Sequence, residues 1–193
     1  MLEVAVIALR WLQYSGAVVL LGAPLFLLYS FRSSDAPNLA WARPALIYAA
    51  VVVALGSLAA LVAQTAVMAG SLSEALKPAS LSFMVTGTAL GMAMVARAGI
   101  ALLGLVAIAL LKPGRCLWGL TATIGLVVVA SFAWTGHGAA TEGPNGLVHL
   151  IADIIHAVAA ALWLGALAAL TILLLRRTEP DNAAMHRALH GFA

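Results

Sequence analysis

The stretch HLIADIIHAVAAALWLGALAALTILLLRR, from His149 to Arg177, holds an uncharged apolar run from Ala157 to Leu175 that stops at two arginines. At 1.5 Å of rise per helical residue, a run of this length crosses a hydrocarbon core of about 30 Å. The segment therefore reads as a membrane-spanning helix, and its first turns raise a question. Two histidines and an aspartate stand at 149, 153 and 156, positions that fall within about 60° of one another on a 3.6-residue helix and so share one stripe.

The rest of the chain has the same character. Of its 193 residues, 64% are hydrophobic and only 9% charged, and the mean hydropathy of +1.07 lies outside the range of soluble domains. The formal net charge is +3, but the basic residues are spread thinly between apolar runs. They indicate membrane topology and not a nucleic-acid partner. The single cysteine, Cys116, excludes an intramolecular disulfide framework and a thiolate metal cage. The opening MLEVAVIALRWLQ has no basic region before its apolar run, so it reads as a retained span and not as a signal peptide.

Five apolar blocks stand out, at about 5–31, 45–70, 92–111, 117–136 and 147–175. The expected fold is all-α: a polytopic membrane helix bundle of about five transmembrane helices, forming a single domain over residues 1–193. The block from Ser80 to Leu111 is too long for one upright span and contains Gly87 and Gly91, while Pro78 suits a helix's first turn. An outer-face helix or elbow before the third span is expected there, with one long tilted helix as the alternative. Arg32, Arg43, Lys112, Arg115, Arg176, Arg177 and Arg187 fall on one side of the bundle, against Lys77 with Glu74 and Glu142 on the other. The asymmetry puts the N-terminus outside and the C-terminus inside.

Counting about twenty residues outward from each inner basic boundary reaches a polar or sulfur-bearing residue every time: Arg10 and Gln13, Gln64 and Met68, Met92 with Arg97, His137, and His156 with Asp153 and His149 beyond it. Two readings of this layer compete. In one, Arg10, Arg97 and Asp153 neutralise one another and the histidines sit in the interface. In the other, a metal binds between two consecutive helices, with His137, His149, Asp153 and His156 as candidate ligands. Imidazole with carboxylate suits copper(II) or zinc(II), while copper(I) prefers sulfur or imidazole. Met68, Met84, Met92 and Met94 lie in the same half, although each alone reads first as packing. Glu142 reads as a solvated loop charge, and His186 with His190 as a solvated helical face. No nucleophile, base and orienting group occur together, so no enzyme is expected.

The segment SFAWTGHGAATEGPNGLVHLIADIIHAVAAALWLGAL, Ser131 to Leu167, resembles the copper resistance protein D (CopD) family, as do LRWLQYSGAVVLLGAPLF and VTGTALGMAMVARAG. The resemblance implies a bacterial inner-membrane protein with a periplasmic N-terminus and a cytoplasmic C-terminus. Its cargo would be copper, as Cu+ or Cu2+, bound at the periplasmic mouth for import or tolerance. A periplasmic CopC-like carrier and the lipid bilayer are the implied partners, with no nucleic acid and with homo-oligomerisation left open. The site residues carried over are His137, His149, Asp153 and His156, the aspartate as ligand or as the group that orients a ligating imidazole. Two features depart from the family: Gln13 stands where its first span often carries a histidine, and the chain stops at HRALHGFA, near where a sixth span would begin. It is expected to be a short or truncated member.

Two alternatives remain. A b-type haem protein would ligate iron through histidines, although His149 and His156 share one helix face where facing helices are usual. A structural subunit would use the polar layer as glue. Gly16, Gly22, Gly56, Gly99, Gly104 and Gly165 allow close helix approach under any of these readings.

Overall fold

A backbone in hydrocarbon has no water to bond, so each apolar block can satisfy its own amides only by coiling into a helix. The computed structural model describes residues 2–30, 39–135, 145–175 and 189–190. Its helices are α1 (Leu2–Ser30), α2 (Ala42–Ala69), α3 (Leu72–Ala75), α4 (Pro78–Gly87), α5 (Ala89–Leu110), α6 (Arg115–Ser131) and α7 (Gly146–Leu175), with a 3-10 turn at Phe132–Thr135 after α6. No strand occurs among the described residues. Five helices are long and apolar enough to cross a membrane: α1, α2, α5, α6 with its 3-10 turn, and α7. The expected all-α bundle and its five spans are borne out, each boundary within a few residues.

The expected elbow is α3 and α4. Gly70 ends α2 in the left-handed conformation, φ 82°, which glycine adopts without a Cβ clash. Ser71 then caps α3 by accepting from the Glu74 amide, and Pro78 opens α4 at a position where its missing N–H costs nothing. The long tilted helix is excluded. Thr88 is extended, φ −133° and ψ 140°, and its hydroxyl oxygen caps α5 by accepting from Gly91 N at 2.9 Å. Threonine makes the break, whereas Gly91 lets α5 approach α4: a Cβ there would meet the Met84 carbonyl group.

α1 packs against α2, α6 and α7; α2 packs on α5 and α5 on α6, which closes a ring of four helices with α7 laid on the outside of α1. The core within the ring includes Leu20, Leu21, Phe26, Val53, Ile108, Leu117 and Val128. A second cluster, Ala60, Leu61, Met84 and Met94, lies under the elbow. Around the outside, Tyr48, Leu55, Leu103, Leu110 and Trp163 are exposed, as suits side chains in contact with lipid. Polar groups inside spans satisfy themselves locally: the hydroxyls of Thr65, Thr121 and Thr123 each donate to a carbonyl one turn back.

Close approach to α1 depends on glycine. A Cβ on Gly22 would lie 2.6 Å from Gly165 Cα, and one on Gly125 would lie 2.5 Å from the Leu20 carbonyl oxygen. That carbonyl is the one whose intrahelical partner is missing, because Pro24, four residues on, has no N–H. Gly99, by contrast, has nothing within 4 Å of a built Cβ, so it takes no part in packing.

At the end of the bundle bearing Lys112, two arginines bond to backbone. Arg43 Nη2 donates to Ala109 O at 2.7 Å and Arg115 Nη1 to Leu28 O at 3.3 Å. Ala109 O lies in the last turn of α5, where no intrahelical donor remains, and Leu28 O lies in the last described turn of α1.

Candidate functional site

The end of the bundle opposite Lys112 holds two separate polar arrangements. The first is the stripe on α7. His149 N donates to Asn145 O at 3.0 Å, so helical phase is set from the first turn. His149, Asp153 and His156 all come out exposed. The buried residues of α7 are Ala161, Gly165, Ala166, Ala169 and Leu170, in its other half, where it meets α1. Along the axis, Asp153 stands about 6 Å from His149 and about 4.5 Å from His156, and the two histidines about 10.5 Å apart. Each histidine is therefore a neighbour of the aspartate more than of the other histidine.

His137, the remaining predicted ligand, and Glu142 and His186 lie outside the described residues. His190 is exposed. Among the described residues, no three His, Cys, Asp or Glu side chains come together as a metal-binding group. Of the four methionines in the outer half, Met84 and Met94 are buried in the cluster under the elbow, and Met84 Sδ accepts from the Thr88 hydroxyl at 3.3 Å. Met68 and Met92 are exposed. Cys116 is exposed beside Arg115.

The second arrangement is buried, and its centre is Arg97 on α5, only 1% exposed. Its Nε donates to Ser131 Oγ at 2.8 Å, Nη1 to Gln13 Oε1 at 3.0 Å, and Nη2 to Ser131 O at 3.0 Å and Thr135 Oγ1 at 3.5 Å. The guanidinium lies 3.8 Å over the Phe132 ring, a face that attracts cations. The acceptors are oriented for it. The Ser131 and Thr135 hydroxyls give their own protons to Val128 O and Phe132 O, leaving lone pairs for the arginine. Gln13 Nε2 donates to Leu9 O, which turns Oε1 toward Arg97 and also toward Ser57 Oγ, 3.0 Å away. The cluster thus takes one side chain from each helix of the ring.

Arg10, on α1, donates from Nη2 to Thr135 O at 2.6 Å. These hydrogen bonds of Arg10 and Arg97 all end on neutral acceptors. Sequence reading placed Gln13 and Arg97 at one depth but missed Ser57, Ser131 and Thr135. The signal was present: a guanidinium carries five donors and, buried, requires several acceptors.

Fold and surface together define a polytopic α-helical membrane protein with a polar, histidine-bearing end. The family described as copper resistance protein D-like, N-terminal domain, matches residues 1–147, and the chain belongs to it. The chain is also 35% identical over 194 residues to "Copper resistance protein D" of Pseudomonas syringae pv. tomato, covering 96% of this chain and 62% of that protein. It thus spans less than two thirds of that relative's length. No solved structure matches.

Proposed function

We propose that this protein handles copper at the histidine end of α7, taking the ion up on the periplasmic side of a bacterial inner membrane for import or tolerance. The observation that carries the proposal is the single exposed stripe His149, Asp153 and His156. Neighbouring pairs on it, four and three residues apart on one helix face, offer imidazole and carboxylate donors, and these donor types suit copper(II), with imidazole also serving copper(I). His137, nine residues before α7 begins at Gly146, would add a further imidazole. A soluble CopC-like carrier could reach an exposed stripe directly. The family and the relative's name support copper as the cargo, and the Lys and Arg asymmetry supports a cytoplasmic basic end.

The protein binds and moves an ion and performs no bond-making step. A haem reading has less support, because no histidine occurs before His137 in the sequence, which leaves α1, α2, α5 and α6 without an imidazole to face α7. The deciding experiment is elemental analysis of protein purified without added metal, repeated on a His149→Ala, His156→Ala double variant. Copper in the wild type and its loss in a normally inserted variant are expected. Equal copper in both would remove the stripe from the function.

A further inference from the structure

We infer that Arg97 is a positioning residue: its guanidinium clamps the end of α6 and the 3-10 turn, and through that turn fixes the polar end of α7. Three observations carry this. First, Arg97 holds the 132–135 turn from three directions, by bonds to Ser131 O and Oγ and to Thr135 Oγ1 and by stacking on Phe132. Ser131 O lies at the C-terminus of α6, where carbonyls lack partners and the helix dipole favours a cation. Second, Arg10 takes the Thr135 carbonyl from the α1 side, and Tyr14, one turn along α1, stacks on Phe132 at 4.3 Å between centroids. The turn is therefore tied to α5 and to α1 together. Third, the turn packs against α7, whose buried contacts to α1 are confined to Ala161 and beyond.

The half of α7 carrying His149, Asp153 and His156 has no buried residue of its own. Ala157 and Val158 pack against the core where this half ends, and the turn is a further contact that places it relative to the ring; Arg97 in turn holds the turn. A lysine could keep the charge but not the fork, because one ammonium cannot meet Gln13, Ser131 and Thr135 in the same planar geometry. The consequence for copper rests on the function proposed above; the clamp itself does not.

The test is hydrogen exchange in lipid nanodiscs on wild type, Arg97→Gln, Arg97→Lys and Thr121→Val, with copper affinity measured on the same samples. Thr121 is a control: a buried hydroxyl on α6 whose bonds among the described residues go to Leu117 O and Trp118 O of its own helix. Both Arg97 variants should speed exchange at 132–135 and 146–156 by about tenfold or more, while leaving α7 beyond Ala161 protected. Copper affinity should fall by about tenfold or more, the usual loss when a group supporting the ligands is removed. Thr121→Val should do neither. Should Arg97→Gln fail to insert, Ser131→Ala with Thr135→Val removes the two hydroxyl acceptors and leaves Arg97 bonded to Gln13 and to the carbonyl at 131, and exchange should quicken at the same segments by a smaller factor. Unchanged exchange at 146–156, or equal acceleration across all spans, would overturn the clamp. Faster exchange at the turn in protein that binds no copper as wild type would uphold the clamp and overturn the copper proposal instead.

Discussion

Gly22 of α1 and Gly165 of α7 meet backbone to backbone: a Cβ built on either would lie 2.6 Å from the Cα of the other. Neither neighbour is a flexible side chain that could swing aside, so any substitution must push two helices apart. In a bilayer, where association rests on packing and not on excluded water, that separation forfeits contact along the whole interface.

Gly165→Ala should therefore lower stability by about 1–3 kcal/mol, the usual cost of overpacking, measured as thermal unfolding in detergent. Gly99→Ala is the matched control. With nothing within 4 Å of its built Cβ, it should be neutral or stabilise by up to about 1 kcal/mol, the helix-propensity difference.

Asp153→Asn separates a role at the metal from a role in the fold. Arg10 and Arg97 bond neutral acceptors, so removing the Asp153 charge strips neither arginine of a bond described above. Copper affinity should fall by about 10-fold to 100-fold with little change in melting temperature. A clear loss of stability with affinity intact would make the aspartate structural.

Cys116 reports sidedness without engineering. It is exposed beside Arg115, at the basic end that we propose faces the cytoplasm. A membrane-impermeant maleimide should label it only after permeabilisation, whereas a cysteine placed at position 142, in a Cys116→Ser background, should label in intact spheroplasts. The reverse pattern would put the histidine stripe in the cytoplasm.

Ser30 Oγ is buried without a hydrogen-bond partner among the described residues. Deleting an unsatisfied buried hydroxyl removes a desolvation cost and breaks no bond. Ser30→Ala should therefore match or exceed wild-type stability in the same unfolding assay, unlike most buried substitutions.

What the sequence revealed, and what it hid, follows from the range of the forces involved. The spans were legible because an apolar run of helical length has one outcome in lipid, and α2 at Ala42–Ala69 differs from its expected 45–70 by only a few residues. The elbow was legible through Pro78, but its break was assigned to glycines when Thr88 makes it by capping α5. The α7 stripe was legible because helical phase is local. The Arg97 cluster was not, since Gln13 and Ser57 are 44 residues apart and Gln13 and Arg97 are 84, and nothing periodic links them. Serines and threonines in spans mostly bond their own helix, so Ser131 gave no sign that it also serves another. Among the glycines, Gly22 and Gly165 were marked correctly, Gly99 proved open and Gly125 was overlooked, because a glycine's sequence context does not say which backbone faces it.

The two arginines at the basic end, Arg43 on Ala109 O and Arg115 on Leu28 O, grip main chain and not side chain. A carbonyl oxygen is present whatever residue bears it, so mutation at 28 or 109 leaves the acceptor standing, while mutation at 43 or 115 removes the donor. The burden of keeping that end laced is thus carried by one member of each pair. The helices they hold can drift in composition, and the lacing survives.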